Sequence, residues 1–393
     1  MRVHFINRFY WPDEQATAQL LTDLAEGLAA RGHTVSVIAS APARKDARPR
    51  ERNGVQLRHV RTTRWTSLGL AGRVVDFLTF YVGAIWRLFR ETRGGDVVVA
   101  LTDPPLIGVV ASWIADLRGA RLIHWVQDIY PEIAVALTGQ RWLHVTRPLR
   151  DAAWRRADTC VVLGPAMARV VTECGTSRDK VRIVPNWAPA QVEPMSVTEV
   201  DALRREWDLE GKFVIGYSGN LGRVHDLSPI LHLADALKNQ TDIRFVFVGN
   251  GAQRAELEAE AQRLALPNVA FHPPQPRGRL GAVLALPDVH LVTLKPGCED
   301  YVFPSKTYGA AQAGRPVLFI GPPASDPAQA ILDHGFGLAF SREQIADAAS
   351  AIKNLRDDPA LRASVAENAT RFSRQDAQSA IAAWDSLLAG WLR

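Results

Sequence analysis

The stretch FVIGYSGNLGR, residues 213–223, decides the fold of this chain. Its first half is a continuous apolar run, which is typical of a strand buried on both faces of a sheet. Its second half has two glycines, which let the backbone turn sharply and approach an anionic ligand closely. The run IRFVFVGNG at 243–251 has the same design. Two such strand–loop units predict a parallel sheet covered by helices.

The alternation of strands and helices extends in both directions from this stretch. Further strands are predicted at Val3–Ile6, His33–Ala39, Val97–Leu101, Arg121–Val126, Thr159–Leu163, Val269–Phe271, Val289–Val292 and Pro316–Ile320. At 393 residues the chain is long for one domain, so we expect two. The fold class is α/β, with two doubly wound parallel sheets in tandem.

Domain boundaries follow from composition. The proline-containing stretch Pro185–Glu210 is the candidate linker, which gives domains at 1–188 and 189–371. Phe372–Arg393 has apolar residues at helical spacing, and we expect a helix that closes the second domain or crosses back to the first. Residues 1–188 hold 26 basic and 17 acidic residues, whereas 189–393 hold 20 and 24. One basic half and one mildly acidic half suggest different partners, although arginine-rich composition also arises without a functional reason.

The N-terminal residues, the cysteines and the apolar runs indicate the cellular compartment. Only a few residues separate Met1 from the polar pair Asn7-Arg8, so we expect no signal peptide. The three cysteines form no zinc or CxxC pattern, which fits a reducing compartment. No apolar run reaches the length of a membrane-spanning helix.

Three loops of the second half are candidates for a phosphate site, because open parallel sheets bind ligands beyond the carboxyl ends of their strands. Two are the glycine loops, the first of which ends in Arg223, a cation that could neutralise a phosphate. The third is VFPSKT at 302–307, where Ser305 suits an N-cap and Lys306 adds positive charge. The alternative that these loops serve backbone geometry, with Lys306 as a solvated surface charge, remains open.

Three loops of the first half also follow predicted strands. They read NRFYWPD at 7–13, TDPP at 102–105 and QDIYPE at 127–132. Three successive aromatic residues in a loop are costly unless they pack or bind a ring. Asp103, Asp128 and Glu132 are candidate contacts for the hydroxyl groups of a ligand, or carboxylates that cap helices.

The segment Val74–Phe89 is apolar nearly all round and is flanked by arginines and tryptophans. A helix at a membrane interface with cationic flanks would explain it. A helix buried in the core would explain it equally well.

Together these motifs resemble the retaining glycosyltransferase family 4, over nearly the whole chain. The resemblance rests on YSGNLGR at 217–223, VGNG at 248–251, PSK at 304–306, AQAGRPV at 311–317 and VPNW at 184–187. FYWP at 9–12 and QDIYPE at 127–132 resemble a branch that acts in bacterial surface-polysaccharide synthesis. Relatives in that branch transfer sugars such as N-acetylated amino-deoxyhexoses.

The resemblance implies a GT-B fold, with two Rossmann-like domains facing across a cleft. It implies transfer of a sugar from a nucleotide-diphosphate donor, which we expect to be a uridine one, with retained anomeric configuration. The implied partners are that donor, a lipid-linked saccharide acceptor and the inner-leaflet membrane surface, with no nucleic acid. We expect no cofactor and no required metal, and a cytoplasmic location, peripheral on the cytoplasmic face of the inner membrane.

The resemblance also assigns roles to residues. Those expected to hold the donor are Gly219, Asn220, Leu221, Gly222, Gly249, Asn250, Gly251, Pro304, Ser305 and Thr307, with Arg223 and Lys306 stabilising the leaving diphosphate. The base is expected near Pro274 and Gln275. On the acceptor side Asp128 is expected to orient the attacking hydroxyl. The remaining acceptor contacts expected are Tyr10, Trp11, Asp13, Asp103, Gln127 and Glu132.

The chain departs from the family pattern at three places. The two glutamates that many members carry in the donor site fall on Tyr301 and Gly309, so Glu299 and Asp300 are candidate replacements. A lysine that often follows the loop arginine is absent from 224–226, so Lys306 would supply the second charge. Gln127 occupies the place where a histidine often precedes the acceptor-side aspartate.

Three other functions stay open on the sequence alone. A nucleotide-sugar epimerase or hydrolase would use the same fold without a lipid acceptor. A non-catalytic sugar-nucleotide sensor would bind donor and turn over nothing. A dinucleotide oxidoreductase is disfavoured, because the first predicted strand is not followed by GxGxxG.

Overall fold

The computed structural model describes residues 1–13, 15–42, 49–65, 69–188, 197–373 and 377–391. They pack into two compact units, one made of Met1–Pro189 and Ala377–Arg393 and the other of Ala190–Asp376. The predicted start of the second domain and the middle of the predicted linker fall at 189–196, outside the described residues.

The first unit contains eight strands and six helices before residue 189 in the described ranges. The strands are β1 Arg2–Ile6, β2 Thr34–Ser40, β3 Glu51–Arg52, β4 Val55–Val60, β5 Val97–Ala100, β6 Arg121–Trp125, β7 Thr159–Val162 and β8 Val181–Ile183. The helices are α1 Ala16–Ala30, α2 Gly69–Glu91, α3 Ile107–Arg118, α4 Glu132–Thr138, α5 Arg147–Arg156 and α6 Pro165–Glu173, with a 3-10 turn at Arg141–Thr146.

These strands form one sheet in the order β3-β4-β2-β1-β5-β6-β7-β8. Every pair is parallel except β3 with β4. The chain order reverses between β1 and β5, which is where sheets of this kind bind ligands. Helices α2 and α3 pack together, as do α3 and α5.

The second unit contains six strands and eight helices in its described part. The strands are β9 Phe213–Ser218, β10 Ile243–Val248, β11 Val269–His272, β12 Val289–Thr293, β13 Val317–Ile320 and β14 Gly337–Phe340. The helices are α7 Val197–Glu206, α8 Ser228–Ala236, α9 Arg254–Arg263, α10 Leu280–Ala285, α11 Lys306–Gln312, α12 Asp326–Asp333, α13 Ile345–Asp357 and α14 Pro359–Ser373.

All strand pairs of this second sheet are parallel, in the order β11-β10-β9-β12-β13-β14. Its order reverses between β9 and β12, so the loop after β9 and the chain after β12 leave the sheet at neighbouring points. The central strands are fully buried because helices cover both faces.

The described part of the C-terminal segment contributes to both units. Phe372 lies within α14 of the second unit, and the last described helix is α15 Ala377–Ala389. Trp384 of α15 is fully buried in the first unit, where its ring lies 5.2 Å from Trp125 and 6.5 Å from Phe5. His33 Nε2 also lies 2.8 Å from the Asp385 carboxylate. The helix therefore completes the core of the first unit.

Candidate functional site

The two glycine loops of the second unit lie side by side at the carboxyl ends of β9 and β10. The Gly219 N–H donates to Val248 O at 2.8 Å, and the Leu221 N–H donates to Asn250 O at 2.9 Å. A Cβ atom on Gly249, where φ is +145°, would overlap the carbonyl oxygen of Gly219. The close approach of two backbones therefore requires glycine at 249.

This pairing reduces the number of backbone amides on the first glycine loop that could bind a phosphate. Two of the four amides at 219–222 are already used inside the protein, those of Gly219 and Leu221. Within the described part of the chain, the N–H groups of Asn220 and Gly222 have no hydrogen-bond partner. Only these two remain for a ligand on this loop.

Lys306 reaches over the first glycine loop from the first residue of α11. Its Nζ lies 2.9 Å from His225 Nε2 and 5.0 Å from the centre of the Tyr217 ring. A Cβ atom on Gly219 would lie 2.9 Å from Lys306 Cε, so glycine there leaves the space that the lysine chain occupies. No carboxylate of the described residues pairs with this ammonium group. Burial lowers the pKa of Lys306 to about 7.

The partner of Lys306 is a neutral imidazole. His225 is buried, and its Nδ1 lies 2.7 Å from Thr293 O. A carbonyl oxygen only accepts, so we assign the ring proton to Nδ1 and leave Nε2 to accept from Lys306. Burial and the charge of Lys306 lower the pKa of His225 to about 3, which keeps the ring uncharged at neutral pH.

Arg223 lies at the outer end of the same loop. Its side chain is exposed, and among the described residues it has no ion-pair partner. The loop itself is fixed, because Gln253 Nε2 donates to Gly222 O at 2.6 Å and to His225 O at 3.0 Å. An exposed arginine and a hydrogen-bonded lysine therefore provide two cations beside one loop.

The start of α11 lies at the predicted N-cap residue. Ser305 occupies the N-cap position, although its side chain makes no capping hydrogen bond. Thr307 is fully buried, and its side chain packs inside the unit rather than lining an open site. Pro304 is buried as well. The Lys306 ammonium nitrogen is thus the atom of this segment that remains a candidate for contacting a ligand.

The other expected donor contacts lie on loops beyond the sheet's carboxyl edge. Glu299 Oε2 accepts from Gly297 N at 2.6 Å, which holds a tight turn, and Asp300 is half-buried beside it. Pro274 is exposed after β11, and Gln275 Nε2 donates to Pro273 O at 3.0 Å. In the second glycine loop, Asn250 Oδ1 accepts from Gly251 N at 2.8 Å. The donor contacts expected of these residues stay predictions.

In the first unit, Arg8 joins two of the predicted loops. Its Nε lies 3.0 Å from Asp103 Oδ1, and its backbone N–H donates to Asp103 O at 2.8 Å. The guanidinium carbon lies 4.3 Å from the centre of the Phe9 ring and 4.7 Å from that of Phe77. Asp103 is therefore ion-paired, and its expected contact with an acceptor would have to be shared with Arg8.

Asp128 is the least satisfied carboxylate of these loops. It is half-buried and has no hydrogen-bond partner among the described residues. Burial, followed by the charge of Asp103, raises the pKa of Asp128 to about 7. With His124 and Tyr130 it lines a cavity of about 30 Å³. A carboxyl group that titrates near neutral pH can take up or release a proton during a reaction.

Two expected acceptor contacts are structural instead. Gln127 is buried, and its amide exchanges two hydrogen bonds with Asn186, at 3.1 and 2.9 Å. Glu132 is buried between Arg147 and Arg150, each 2.7 Å from one of its oxygens. Although burial opposes it, the hydrogen bonds from Arg150 hold the pKa of Glu132 below its usual range. Both polar groups are committed inside the unit.

The aromatic loop is divided between packing and exposure. Tyr10 is buried in the core of the first unit, so packing accounts for it. Trp11 is half-buried, with the Arg52 guanidinium carbon 4.5 Å from its ring centre. Asp13 is half-buried too, and burial raises its pKa. Trp11 and Asp13 are the members of this loop that remain candidates for contacting an acceptor.

No group of three or more His, Cys, Asp and Glu residues in the described ranges could hold a metal ion. None of the helices in that part of the chain is long and apolar enough to cross a membrane.

Family models match both units. The Glycosyl transferase 4-like domain matches residues 16–187, and the Glycosyl transferases group 1 model matches 199–372. Together they cover most of the chain. The chain belongs to glycosyltransferase family 4.

Named relatives of this family 4 glycosyltransferase come from several bacteria. It is 28% identical over 317 residues to the putative colanic acid biosynthesis glycosyl transferase WcaI of Escherichia coli (strain K12), covering 76% of this chain and 77% of WcaI. It is 25% identical over 352 residues to the GDP-mannose-dependent alpha-mannosyltransferase of Mycobacterium tuberculosis (strain CDC 1551 / Oshkosh), covering 86% and 83%.

Solved structures agree on the fold. Anabaena Alr3699/HepE, crystallised with UDP and glucose, is similar with a TM-score of 0.77 at 16% identity, covering 99% of this chain and 100% of the other. The two parallel α/β sheets and this similarity confirm the predicted GT-B fold of the glycosyltransferase.

Sequence reasoning about this glycosyltransferase missed three residues. His225, Arg8 and Asn186 had no assigned role, yet each holds a candidate site residue in place. One signal was available for His225, since it lies where the lysine of the family pattern is absent. Its contact with Lys306, 81 residues later, depends on the neighbouring positions of β9 and β12.

Proposed function

We propose that this glycosyltransferase moves a sugar from a nucleotide-diphosphate donor, with uridine as the base, to a lipid-linked or saccharide acceptor. We propose retained anomeric configuration, which the family 4 resemblance implies, and a role in bacterial surface-polysaccharide synthesis. The similarity to WcaI supports that role. The UDP bound to Alr3699/HepE supports the choice of base, whereas the mycobacterial relative is named for GDP-mannose. Comparing UDP with GDP as ligands therefore tests the choice of base.

The observation that carries the donor assignment is that no carboxylate of the described residues pairs with the Lys306 ammonium group. A half-buried ammonium group with no carboxylate partner in the described chain is costly, because burial removes its hydration. A diphosphate beside the Gly219–Gly222 loop would supply the missing negative charge, with Arg223 as the second cation.

The same cations would serve the chemistry. As the glycosidic bond breaks, negative charge grows on the oxygens of the nucleoside diphosphate. Fixed cations and N–H groups aimed at that charge lower the barrier, and losing one typically costs on the order of 10²–10³ in rate. Lys306 is fixed by its contacts, and the amides of Asn220 and Gly222 lie on the same loop.

Asp128 is the group proposed to orient the acceptor hydroxyl. It lies in the loop after β6 with no partner among the described residues, so its oxygens are available to accept a hydrogen bond. The proton of the acceptor hydroxyl must leave as the new bond forms, and a carboxylate titrating near neutral pH can receive it. The leaving diphosphate is the other acceptor of that proton.

Donor binding and turnover test the proposal together. Titrating the protein with UDP and with GDP, and then with their sugars, identifies the base. Arg223→Ala and Lys306→Ala are each expected to weaken binding and cut turnover, whereas Lys238→Ala, an exposed lysine paired with Asp235, is expected to leave both unchanged. Unchanged binding in both site variants would remove the diphosphate assignment. Sugar released or isomerised from donor alone would instead indicate a hydrolase or epimerase, and binding without any turnover a sensor.

We also propose that the reaction needs no metal ion, because Lys306 and Arg223 can neutralise the diphosphate. Treatment with EDTA is then expected to leave turnover unchanged. A loss that Mg²⁺ or Mn²⁺ restores would contradict this part of the proposal.

A membrane partner is proposed from the outer surface of the first unit. Helix α2 buries Phe80, Ala84 and Leu88 on one side, so the core explanation holds for that side. Of the fifteen large hydrophobic residues exposed in the described chain, twelve lie between 65 and 149. They are Trp65, Val74, Leu78, Val82, Ile85, Trp86, Phe89, Trp113, Leu117, Trp142, Val145 and Leu149. Such a concentration of exposed apolar residues marks an interaction surface.

Three of the elements that carry this surface, α2, α3 and α5, pack side by side, and arginines accompany the apolar residues. The guanidinium carbons of Arg87 and Arg90 lie 5.4 and 5.2 Å from the Trp86 ring centre, and that of Arg118 lies 5.0 Å from Phe89. Apolar side chains with adjacent arginines fit the interface of an anionic bilayer. We propose that the protein lies on the cytoplasmic face of the inner membrane, where a lipid-linked acceptor would be held.

Vesicle co-sedimentation tests this surface. The double variant Leu78→Glu/Val82→Glu is expected to bind phosphatidylglycerol vesicles at least about tenfold more weakly, because it places negative charge on the apolar surface of α2. Leu332→Glu is the matched control, because Leu332 is 47% exposed but belongs to the second unit, against 57% for Leu78. Binding that is equal for all three proteins, or equal on phosphatidylcholine and phosphatidylglycerol, would contradict the proposal.

A further inference from the structure

His225 is held on every side that the structure describes. Its backbone N–H donates to Gly222 O at 3.1 Å, and its carbonyl oxygen accepts from Gln253 Nε2 at 3.0 Å. Its ring donates to Thr293 O at 2.7 Å and packs edge-on against Tyr217, with centroids 5.9 Å apart. The Nε2 lone pair therefore has a fixed direction, and the group at its end is the Lys306 ammonium, 2.9 Å away.

A lysine in this position needs an anchor. Its chain has four rotatable bonds, and fixing such a side chain costs entropy that a ligand would otherwise meet on binding. A carboxylate anchor would fix Lys306 but would also neutralise its charge. A neutral imidazole accepts one hydrogen bond and leaves the positive charge and two N–H groups of the ammonium for another partner.

Three contacts direct the ammonium to the same spot. Gly219 leaves space for Lys306 Cε, the face of Tyr217 lies 5.0 Å from Nζ, and His225 Nε2 accepts its hydrogen bond. The Tyr217 hydroxyl donates to Asn220 O at 3.0 Å, so the ring beneath the ammonium is fixed as well. His225 is the member of this set that bonds to Nζ directly.

We propose that His225 is a positioning residue, which holds the Lys306 ammonium over the Gly219–Gly222 loop and leaves its full charge for the donor diphosphate. The inference rests on the function proposed above. It goes further by naming the group that orders the cation and by assigning its tautomer.

Two substitutions separate the two ends of the imidazole. In His225→Asn the amide lies near the former Nδ1, so it can still donate to Thr293 O but cannot reach Lys306. In His225→Gln the amide lies near the former Nε2, so it can still accept from Lys306. We expect the Asn variant to bind UDP about tenfold more weakly, the usual effect of losing one hydrogen bond to a charged group. The Gln variant is expected to stay within about threefold of the original protein.

A double-substitution cycle separates positioning from a general structural effect. Lys306→Ala alone is expected to weaken UDP binding, and adding His225→Asn to it is expected to cause no further loss. Additive losses would overturn the inference, because His225 would then act independently of Lys306. If Lys306→Ala alone leaves binding unchanged, the proposed diphosphate site fails. If Lys306→Ala weakens binding and His225→Asn does not, only the role of His225 fails.

A measurement on the unsubstituted protein keeps the inference testable if His225→Asn folds poorly. The ¹⁵N chemical shifts of His225 are expected to show a protonated Nδ1 and a bare Nε2 at neutral pH. In Lys306→Ala the Nε2 resonance is expected to shift, because its hydrogen-bond donor is gone. A ring protonated at Nε2, or an Nε2 resonance indifferent to Lys306, would overturn the inference.

Discussion

The affinity of the protein for UDP is predicted to fall as pH rises above neutrality, and Lys306 is the cause. Burial lowers the pKa of this lysine to about 7 in the free protein. A bound diphosphate favours the ammonium form, so the pKa of Lys306 rises in the complex. Between the two values the free protein must take up a proton in order to bind. Affinity therefore decreases with increasing pH across that interval.

The size of the effect follows from the fraction of Lys306 that is protonated. With a pKa of about 7, roughly half of the free protein carries the ammonium at pH 7 and about 3% at pH 8.5. If the complex stays protonated over this range, UDP affinity falls about fifteenfold. The terminal phosphate of UDP titrates near pH 6, so the nucleotide keeps its charge throughout. His225, with a pKa of about 3, does not titrate there.

Calorimetric titration with UDP at several pH values from 7 to 8.5 measures this slope. Lys306→Arg is the informative control, because a guanidinium stays charged and its affinity is expected to be flat across the range. Lys306→Gln is expected to be flat as well, but weak. A flat profile in the original protein, or an unchanged slope in Lys306→Gln, would refute the reasoning that Lys306 is the titrating contact.

Three further predictions concern the first unit. Asp128→Asn is expected to cut turnover by on the order of 10²-fold while raising the melting temperature, because it removes a half-buried charge that has no partner in the described chain. The acidic limb of the pH–rate profile near pH 7 is expected to vanish in this variant. Trp384→Ala is expected to lower the free energy of unfolding of the first unit by about 3–5 kcal/mol, measured by urea denaturation, because the ring is fully buried. Glu132→Ala is expected to cost about 3–5 kcal/mol by leaving Arg150 buried without its main partner, and an unchanged stability would restore Glu132 as a candidate acceptor contact.

Sequence pattern was sufficient for the central strands of both sheets, because each is a mostly apolar run followed by a glycine or polar loop. It missed β3, β4, β8 and β14, which have weaker signals. In β4, Arg58 and His59 interrupt the apolar pattern, and its pairing with β2 is a long-range contact that local sequence does not encode. The place of Phe372 and Ser373 in α14 of the second unit was also missed, since the residues on both sides of them have helical periodicity.

The candidate site was predictable where the residue types in a motif allow few structural roles. It was not predictable where a polar side chain could equally bind a ligand or form a hydrogen bond inside the unit. Lys306 and the glycine loops were found because their residue types and order are restrictive. Gln127 and Glu132 were assigned to an acceptor because they follow strands, yet Asn186 and Arg150 satisfy them inside the unit. Both partners come from later parts of the chain, so only the tertiary structure reveals that these groups are already used.

Asp128 and Lys306, the strongest candidates for a role in the reaction, share one physical property. Asp128 in the first unit and Lys306 in the second each carry a charge with no opposite charge beside it in the described chain, and in each burial shifts the pKa toward 7. The buried charges of Glu132 and Arg150, by contrast, are paired with each other. Unpaired charge costs stability in the free protein. Under the proposed function that cost is recovered when a ligand binds, with a hydroxyl at Asp128 and a diphosphate at Lys306. The proposed role of His225 is consistent with this, because a neutral imidazole holds Lys306 in place without neutralising the charge that would bind the diphosphate.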